Sequence, residues 1–226
     1  MARNSQLENR IIRHGLSDFD DVEVLDLLLR LHLNETSQIP YAEKMLNKYT
    51  SLSNIIDTIR DNPEDIPEIN GDYLLGLKLP YEMANRYLFD KVKQQPIFHQ
   101  PVEVVKYLNH SMRGLKKEHF RVLYLNNMNK LIAEEDISIG TVNKAPVYPR
   151  EVLKSALRFN ATGLIFAHNH VSGNLRPSND DIKITEKLYS AAKTLDISVY
   201  DHIIVAGNDY FSFLNQGLIQ NKQSAI

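Results

Sequence analysis

The stretch GLIFAHNHVSGNLRPSNDD, Gly163 to Asp181, constrains this chain more than any other. An apolar run, Leu164-Ile165-Phe166-Ala167, ends in His168-Asn169-His170. A polar turn with Gly173 and Pro177 follows. Ser178-x-x-Asp181 then opens a segment whose Ile182, Leu188, Ala192 and Leu195 recur at helical spacing. The pattern predicts a buried strand, a turn, and a helix from Ser178 to about Leu195. Side chains two apart on a strand share a face, so His168 and His170 present two imidazoles to one point. A turn that brings Asp181 back to that point adds a carboxylate. Two neutral imidazoles and one carboxylate suit a catalytic zinc ion, one per chain, with the fourth position left for water. Such an ion lowers the pKa of its bound water from about 15.7 to about 7.

Each piece also has a blander reading. His-x-His alone is a common accident of surface sequence. Ser178-x-x-Asp181 has the form of a helix capping box with Asp in place of Glu. A cap does not exclude ligation, because a first-turn Asp still projects its carboxylate outward. The combination favours a site. A buried strand seldom finishes in His-Asn-His before a Gly- and Pro-containing turn without some use for its polar end.

HNHVSGNLRPSNDD resembles the metal motif of the JAMM (MPN+) metalloprotease superfamily: His-x-His, ten residues, then Asp, with Ser three before the Asp. The surrounding text is closest to the bacterial RadC-like branch, whose usual form is HNHPSG followed by PS-x-x-D. The segments EHFRVLYLN, ISIGTVNKAPVYPREVLKSAL and DHIIVAG stand in the order that branch has. The likeness runs strongly from about Pro101 to Leu218 and weakly before that. Val171 stands where the family usually has Pro, which loosens the turn and removes no ligand. The resemblance implies a zinc-dependent hydrolase of peptide or isopeptide bonds, with His168, His170 and Asp181 as metal ligands.

A metal-bound water also needs a group that takes its proton and returns it to the leaving amine. Spacing leaves Glu118, Glu134, Glu135 and Glu151 open. The resemblance points to Glu118, because the JAMM pattern places its Glu at the start of an earlier strand. Ser178 is the candidate hydroxyl for stabilising the oxyanion, unless the helix cap already uses it. Asp201-His202 lies in a strand, where neighbours face opposite ways, so the pair reads as structural, with a contact behind the metal ligands. Asn169 points away from the metal by the same logic. His14, His32, His99, His110 and His119 lack ligand spacing and read as solvated.

The chain has 226 residues, enough for one large domain or two small ones. A net charge of −2 gives no global field that would recruit nucleic acid. There is no cysteine, which excludes disulfides and thiolate-held zinc and fits a reducing cytoplasm. No run has the character of a signal peptide or the length of a membrane span.

Two domains are expected. Residues 1–95 read as small and helical. Ser17-Asp18 should cap a helix whose Phe19, Val22, Leu25, Leu28 and Leu29 form an internal core stripe. Further helices should follow Pro40 and cover Leu52 to Ile59. Ile66 to Gly71, followed by Leu74 to Leu88, resembles the helix-hairpin-helix of RadC-like proteins, whose glycine turn offers amides to a DNA phosphate. Glu68 and Asn70 occupy the glycine positions here, so the hairpin reads as a scaffold with a weakened DNA contact. Scattered Lys78, Arg86, Lys91 and Lys93 read as a solvated face. A nucleic-acid-binding, repair-associated protein without peptidase activity is therefore the rival to the hydrolase. Lys93 to Pro96 is the candidate linker. Residues 101–226 should form a JAMM-like α-β-α sandwich with a mixed sheet, since strands and helices interleave. Its elements should be a helix from Pro101, strands at Phe120–Leu125 and Lys130–Ile139, a helix from Pro149, strands at Leu164–Ala167 and Ser198–Val205, and a last strand at Tyr210–Leu214.

Overall fold

A computed structural model describes residues 9–30, 38–61, 63–66, 71–97, 101–140 and 146–219. Residues 9–14 are helical, and the helix after them shows how local chemistry sets a boundary. The Asp20 carboxylate accepts from the Glu23 amide (2.8 Å), and the Glu23 carboxylate accepts from the Asp20 amide (3.1 Å). This reciprocal cap starts α1 (Asp21–Arg30). The expected cap at Ser17-Asp18 is thus displaced, and the Ser17 hydroxyl donates to the His14 carbonyl instead. α2 (Ile39–Tyr49) carries a proline in its first turn. α3 (Leu52–Asp61) follows Ser51, whose hydroxyl accepts from the Asn54 amide (3.1 Å). Leu25, Leu29, Ala42, Met45, Ile55, Ile59, Ile66 and Leu77 bury together as one core.

α4 (Gly71–Gln94) runs without a break through Pro80. The hairpin turn expected at Glu68 and Asn70 falls on residues outside those described. Two of the basic residues on this helix lie over aromatic rings of the same helix, Lys91 over Tyr87 and Lys93 over Phe89. The chain divides into two compact units between Met83 and Ala84, inside α4. The polar stretch at Lys93–Pro96 comes later, because Leu88, Phe89, Val92 and Ile97 already pack in the core of the second unit.

That second unit contains α5 (Pro101–Met112), β1 (Glu118–Leu125), β2 (Leu131–Gly140), α6 (Pro149–Arg158), β3 (Gly163–Asn169), α7 (Asn179–Lys193), β4 (Ser198–Ala206) and β5 (Asp209–Ser212). The strands form one sheet in the order β2-β1-β3-β4-β5. β3 and β4 are parallel, joined through α7, and the other pairs are antiparallel. Alternation along the strands splits the core. Phe120, Val122, Tyr124, Leu164 and Phe166 pack with Val152 and Ala156 of α6 and Leu188 and Ala192 of α7. Leu123, Leu125, Ile165 and Ala167 pack with Val104, Tyr107, Leu108 and Met112 of α5. The result is the expected mixed-sheet α-β-α sandwich. β1 opens at Glu118, two residues earlier than its apolar run. β5 closes at Ser212, and Phe213 and Leu214 enter a turn. Among the described residues, no helix is long and apolar enough to cross a membrane.

Candidate metal centre

β3 is buried at every residue, which accounts for its apolar run. His168 lies near its end. The His170 amide donates to the Val205 carbonyl (2.9 Å), so sheet pairing continues one residue past the strand. His168 and His170 therefore stay on one face. Gly173 turns the chain with φ +77°. The His170 Nδ1 contacts the Asn174 carbonyl oxygen at 2.6 Å. A carbonyl only accepts, so Nδ1 carries a proton, and Nε2 is the nitrogen that faces Asp181 and would meet a cation.

The return to Asp181 depends on the capping box at the start of α7. The Ser178 amide and hydroxyl both donate to Asp181 Oδ2 (2.7 and 2.6 Å), and the Asp181 amide donates back to the Ser178 hydroxyl (3.1 Å). The carboxylate then lies 3.3 Å from His168 Nε2 and 3.4 Å from His170 Nε2. The two Nε2 atoms are 2.9 Å apart. Ligand atoms of all three residues fall within 4.8 Å of one another. Imidazole, imidazole and carboxylate are a donor set zinc accepts, so the residues fit the ion the sequence implies. The single proton of Ser178 is committed to Asp181, which leaves this hydroxyl to orient a ligand.

Burial opposes ionisation of Asp181. Its bonds to His170 and Ser178 and its attraction to His168 outweigh that and hold the carboxyl well below the usual range. Burial pushes His168 down to about 4, against the pull of Asp181. His170 is raised, first by its bond to Asp181, with burial opposing. Both rings would have to be neutral to act as ligands. Burial makes His168 so, and displacement by a cation of the proton that His170 Nε2 shares with Asp181 would do the same for His170.

Glu118 faces this cluster. Phe120 pairs directly with His168 across the β1–β3 ladder, and Glu118 is two residues earlier on the same face. Burial raises its pKa, with His170 lowering and Asp181 raising it further. Glu118 lines an open cleft of about 940 Å³ together with His168, His170, Ser178 and Asp181. The other carboxylates lie elsewhere. Glu134 accepts from the Tyr107 hydroxyl on the opposite face (2.5 Å). Glu135 pairs with Arg158, and Glu151 pairs with Arg150 (3.1 Å).

Four residues read as peripheral have definite work here. Asn169 does point away from the ligands. Its oxygen accepts from the His119 amide (2.8 Å), and its nitrogen donates to the Lys117 carbonyl (3.0 Å). The middle residue of His-Asn-His thereby pins the backbone on either side of Glu118. His119, expected to be solvated, contacts Asp136 at 2.9 Å. Its partner is across a hairpin with an irregular register, which no local spacing reveals. His202 is wholly buried and its Nε2 lies 2.8 Å from His168 Nδ1, the contact behind the ligands that strand alternation suggested. Asp201 points the other way and accepts from Ser212 and Leu214 (2.6 and 2.9 Å). Thr185 was not singled out by the sequence. It lies one helical turn beyond Asp181, and that i,i+4 spacing was the available signal. His14 is exposed beside Asp18 (3.7 Å), and His32 and His99 lie outside the described residues.

A mixed α-β-α sandwich with two histidines at the end of its central strand and an aspartate on the next helix defines a JAB-type domain. Residues 98–218 match the family described as "RadC-like JAB domain", and the chain belongs to that family. It is 40% identical over 217 residues to the UPF0758 protein of Pseudoalteromonas translucida, covering 96% of this chain and 97% of that one. It is 35% identical over 210 residues to a UPF0758 protein of Histophilus somni, covering 93% and 95%. A UPF0758 protein of Fusobacterium nucleatum is 32% identical over 225 residues, covering 96% and 97%.

Proposed function

We propose that the chain is a metal-dependent amide hydrolase that acts on a peptide or isopeptide bond and uses one zinc ion. The observation that carries this reading is the convergence of His168, His170 and Asp181 within 4.8 Å, on the face that also bears Glu118. When bound, zinc would supply a polarised carbonyl and a water acidic enough to lose its proton near neutrality. Glu118 takes that proton on a carboxylate oxygen and later delivers it to the leaving nitrogen. Its upward pKa shift favours the second half of that cycle, because a carboxyl closer to neutrality holds a proton long enough to pass it on. Ser178 contributes by holding Asp181 in place rather than by donating to the reacting carbonyl. Asn169 keeps Glu118 at the mouth of β1. The cysteine-free sequence suits a cytoplasmic setting.

The test is amine release from a panel of peptide- and isopeptide-linked substrates by zinc-loaded protein. Release that stops on chelation and returns on adding zinc is the expected result. A zinc-loaded protein that releases no amine from any of them would contradict the reading.

A further inference from the structure

His202 lies behind His168 in a box of aromatic rings. Phe213 stacks on it with centroids 4.7 Å apart and planes 19° apart. Phe120 and Phe166 meet it edge-on at 5.4 and 6.0 Å. These contacts hold the ring in one orientation. Its Nε2 is 2.8 Å from His168 Nδ1, and its Nδ1 is 2.6 Å from the Thr185 hydroxyl. The Thr185 hydroxyl is in turn 2.6 Å from the Asp181 carbonyl oxygen.

The last member of this series sets the direction of every proton. The Asp181 carbonyl can only accept, so the one Thr185 proton goes to it. The Thr185 oxygen then accepts from His202 Nδ1–H. A neutral imidazole carries a single proton, so His202 Nε2 is an acceptor and receives the proton on His168 Nδ1. His168 Nε2 is left with its lone pair, 3.3 Å from the Asp181 carboxylate and 2.9 Å from His170 Nε2. Reversing the order would put a proton on His168 Nε2, where it would block a cation.

We propose that Thr185 and His202 are positioning residues, a hydrogen-bond relay that fixes His168 in the tautomer whose Nε2 lone pair faces the metal position. The relay starts on the backbone of Asp181. The ligand on α7 thus sets the tautomer of the ligand on β3, and the Asn174 carbonyl does the same for His170 directly. The inference rests on the metal-centre reading and adds how that centre is kept ready for a cation. Groups that orient a ligating histidine typically change metal affinity by about 10–100-fold when removed.

Two readouts other than turnover test it. Long-range proton–nitrogen spectra of the metal-free protein report which nitrogen of each histidine is protonated. Competition with a chromophoric chelator gives the zinc Kd. In the parent, His168 and His202 should both be protonated at Nδ1. Thr185→Val keeps the shape and removes the hydroxyl. It should mix the tautomers of His168 and weaken zinc by about 10–100-fold, and Thr185→Ser should restore both. A parent His168 protonated at Nε2, a Thr185→Val that binds zinc as the parent does, or a Thr185→Ser that restores neither readout would overturn the proposal. Tautomers and zinc affinity as expected, with no amide cleaved, would sink the hydrolase reading and leave the relay intact.

Discussion

The two faces of β1 and β3 carry polar groups at the same level of the sheet, and they use them differently. On the α5 face, Arg121 reaches across to Asp136 (2.7 Å) and the Ser111 hydroxyl (3.0 Å), and lies 3.8 Å from Glu134. His119 adds to Asp136. That face brings its own cation to its carboxylates. On the α7 face, the partners of the Asp181 carboxylate among the described residues are His168, His170 and Ser178, with no lysine or arginine among them. The positive partners of this carboxylate are titratable imidazoles, while Arg176, Lys183 and Lys187 line the same cleft without being among its contacts. The α5 cluster is closed by its own counterion. The α7 cluster is a group that could hold a metal ion, with imidazoles that give up protons to one.

Substitutions can break that contrast. Glu118→Gln removes the proton carrier and leaves the three ligands, so turnover should fall by about 10²–10⁴-fold while zinc content is unchanged. Hydrolysis at the parent rate would move the base to another group.

Arg121→Met removes the cation of the other face. The pair is mostly buried, with side-chain exposures of 13% and 22%, so urea unfolding should show a loss of about 3 kcal/mol, the low end for a broken buried pair. Zinc affinity of the folded protein should not change. A fall in affinity that matched the loss of stability would mean the two faces are not separate.

The smallest effect is on pH dependence. Burial works against ionised Asp136, but its bond and attraction to Arg121, with help from His119, hold its carboxyl below the usual carboxylate range. A depressed carboxylate contributes stability that is present above its unfolded pKa and lost as pH falls through the folded one. The stability gap between parent and Arg121→Met should therefore be full at pH 6 and narrow below about pH 4. A gap that stayed constant to pH 3 would assign the effect of Arg121 to packing of its stem.

Much of the α7 face could be read from the sequence because its determinants are local. His168 and His170 are two apart on a strand, and Ser178 and Asp181 are three apart at a helix start, so pleat and cap dictate their directions. The α5 face could not be read this way. His119 and Arg121 find Asp136 only through a hairpin whose register shifts at Phe120/Arg121 and again at Tyr124/Leu125, which defeats counting back from the turn. The Thr185–His202 contact joins α7 to β4, and its one local trace is the i,i+4 spacing of Thr185 from Asp181. At α1, Asp20 and Glu23 form the cap in place of Ser17-Asp18, because a reciprocal pair satisfies two amides where a single side chain satisfies one.

The most direct test of a cation-ready face is a crystal of the protein grown with zinc, with anomalous diffraction collected at the zinc edge. The account predicts one peak per chain, about 2.0–2.2 Å from His168 Nε2, His170 Nε2 and an Asp181 oxygen. An absent peak at saturating zinc, or an Asp181 carboxylate turned away from both rings, would contradict it.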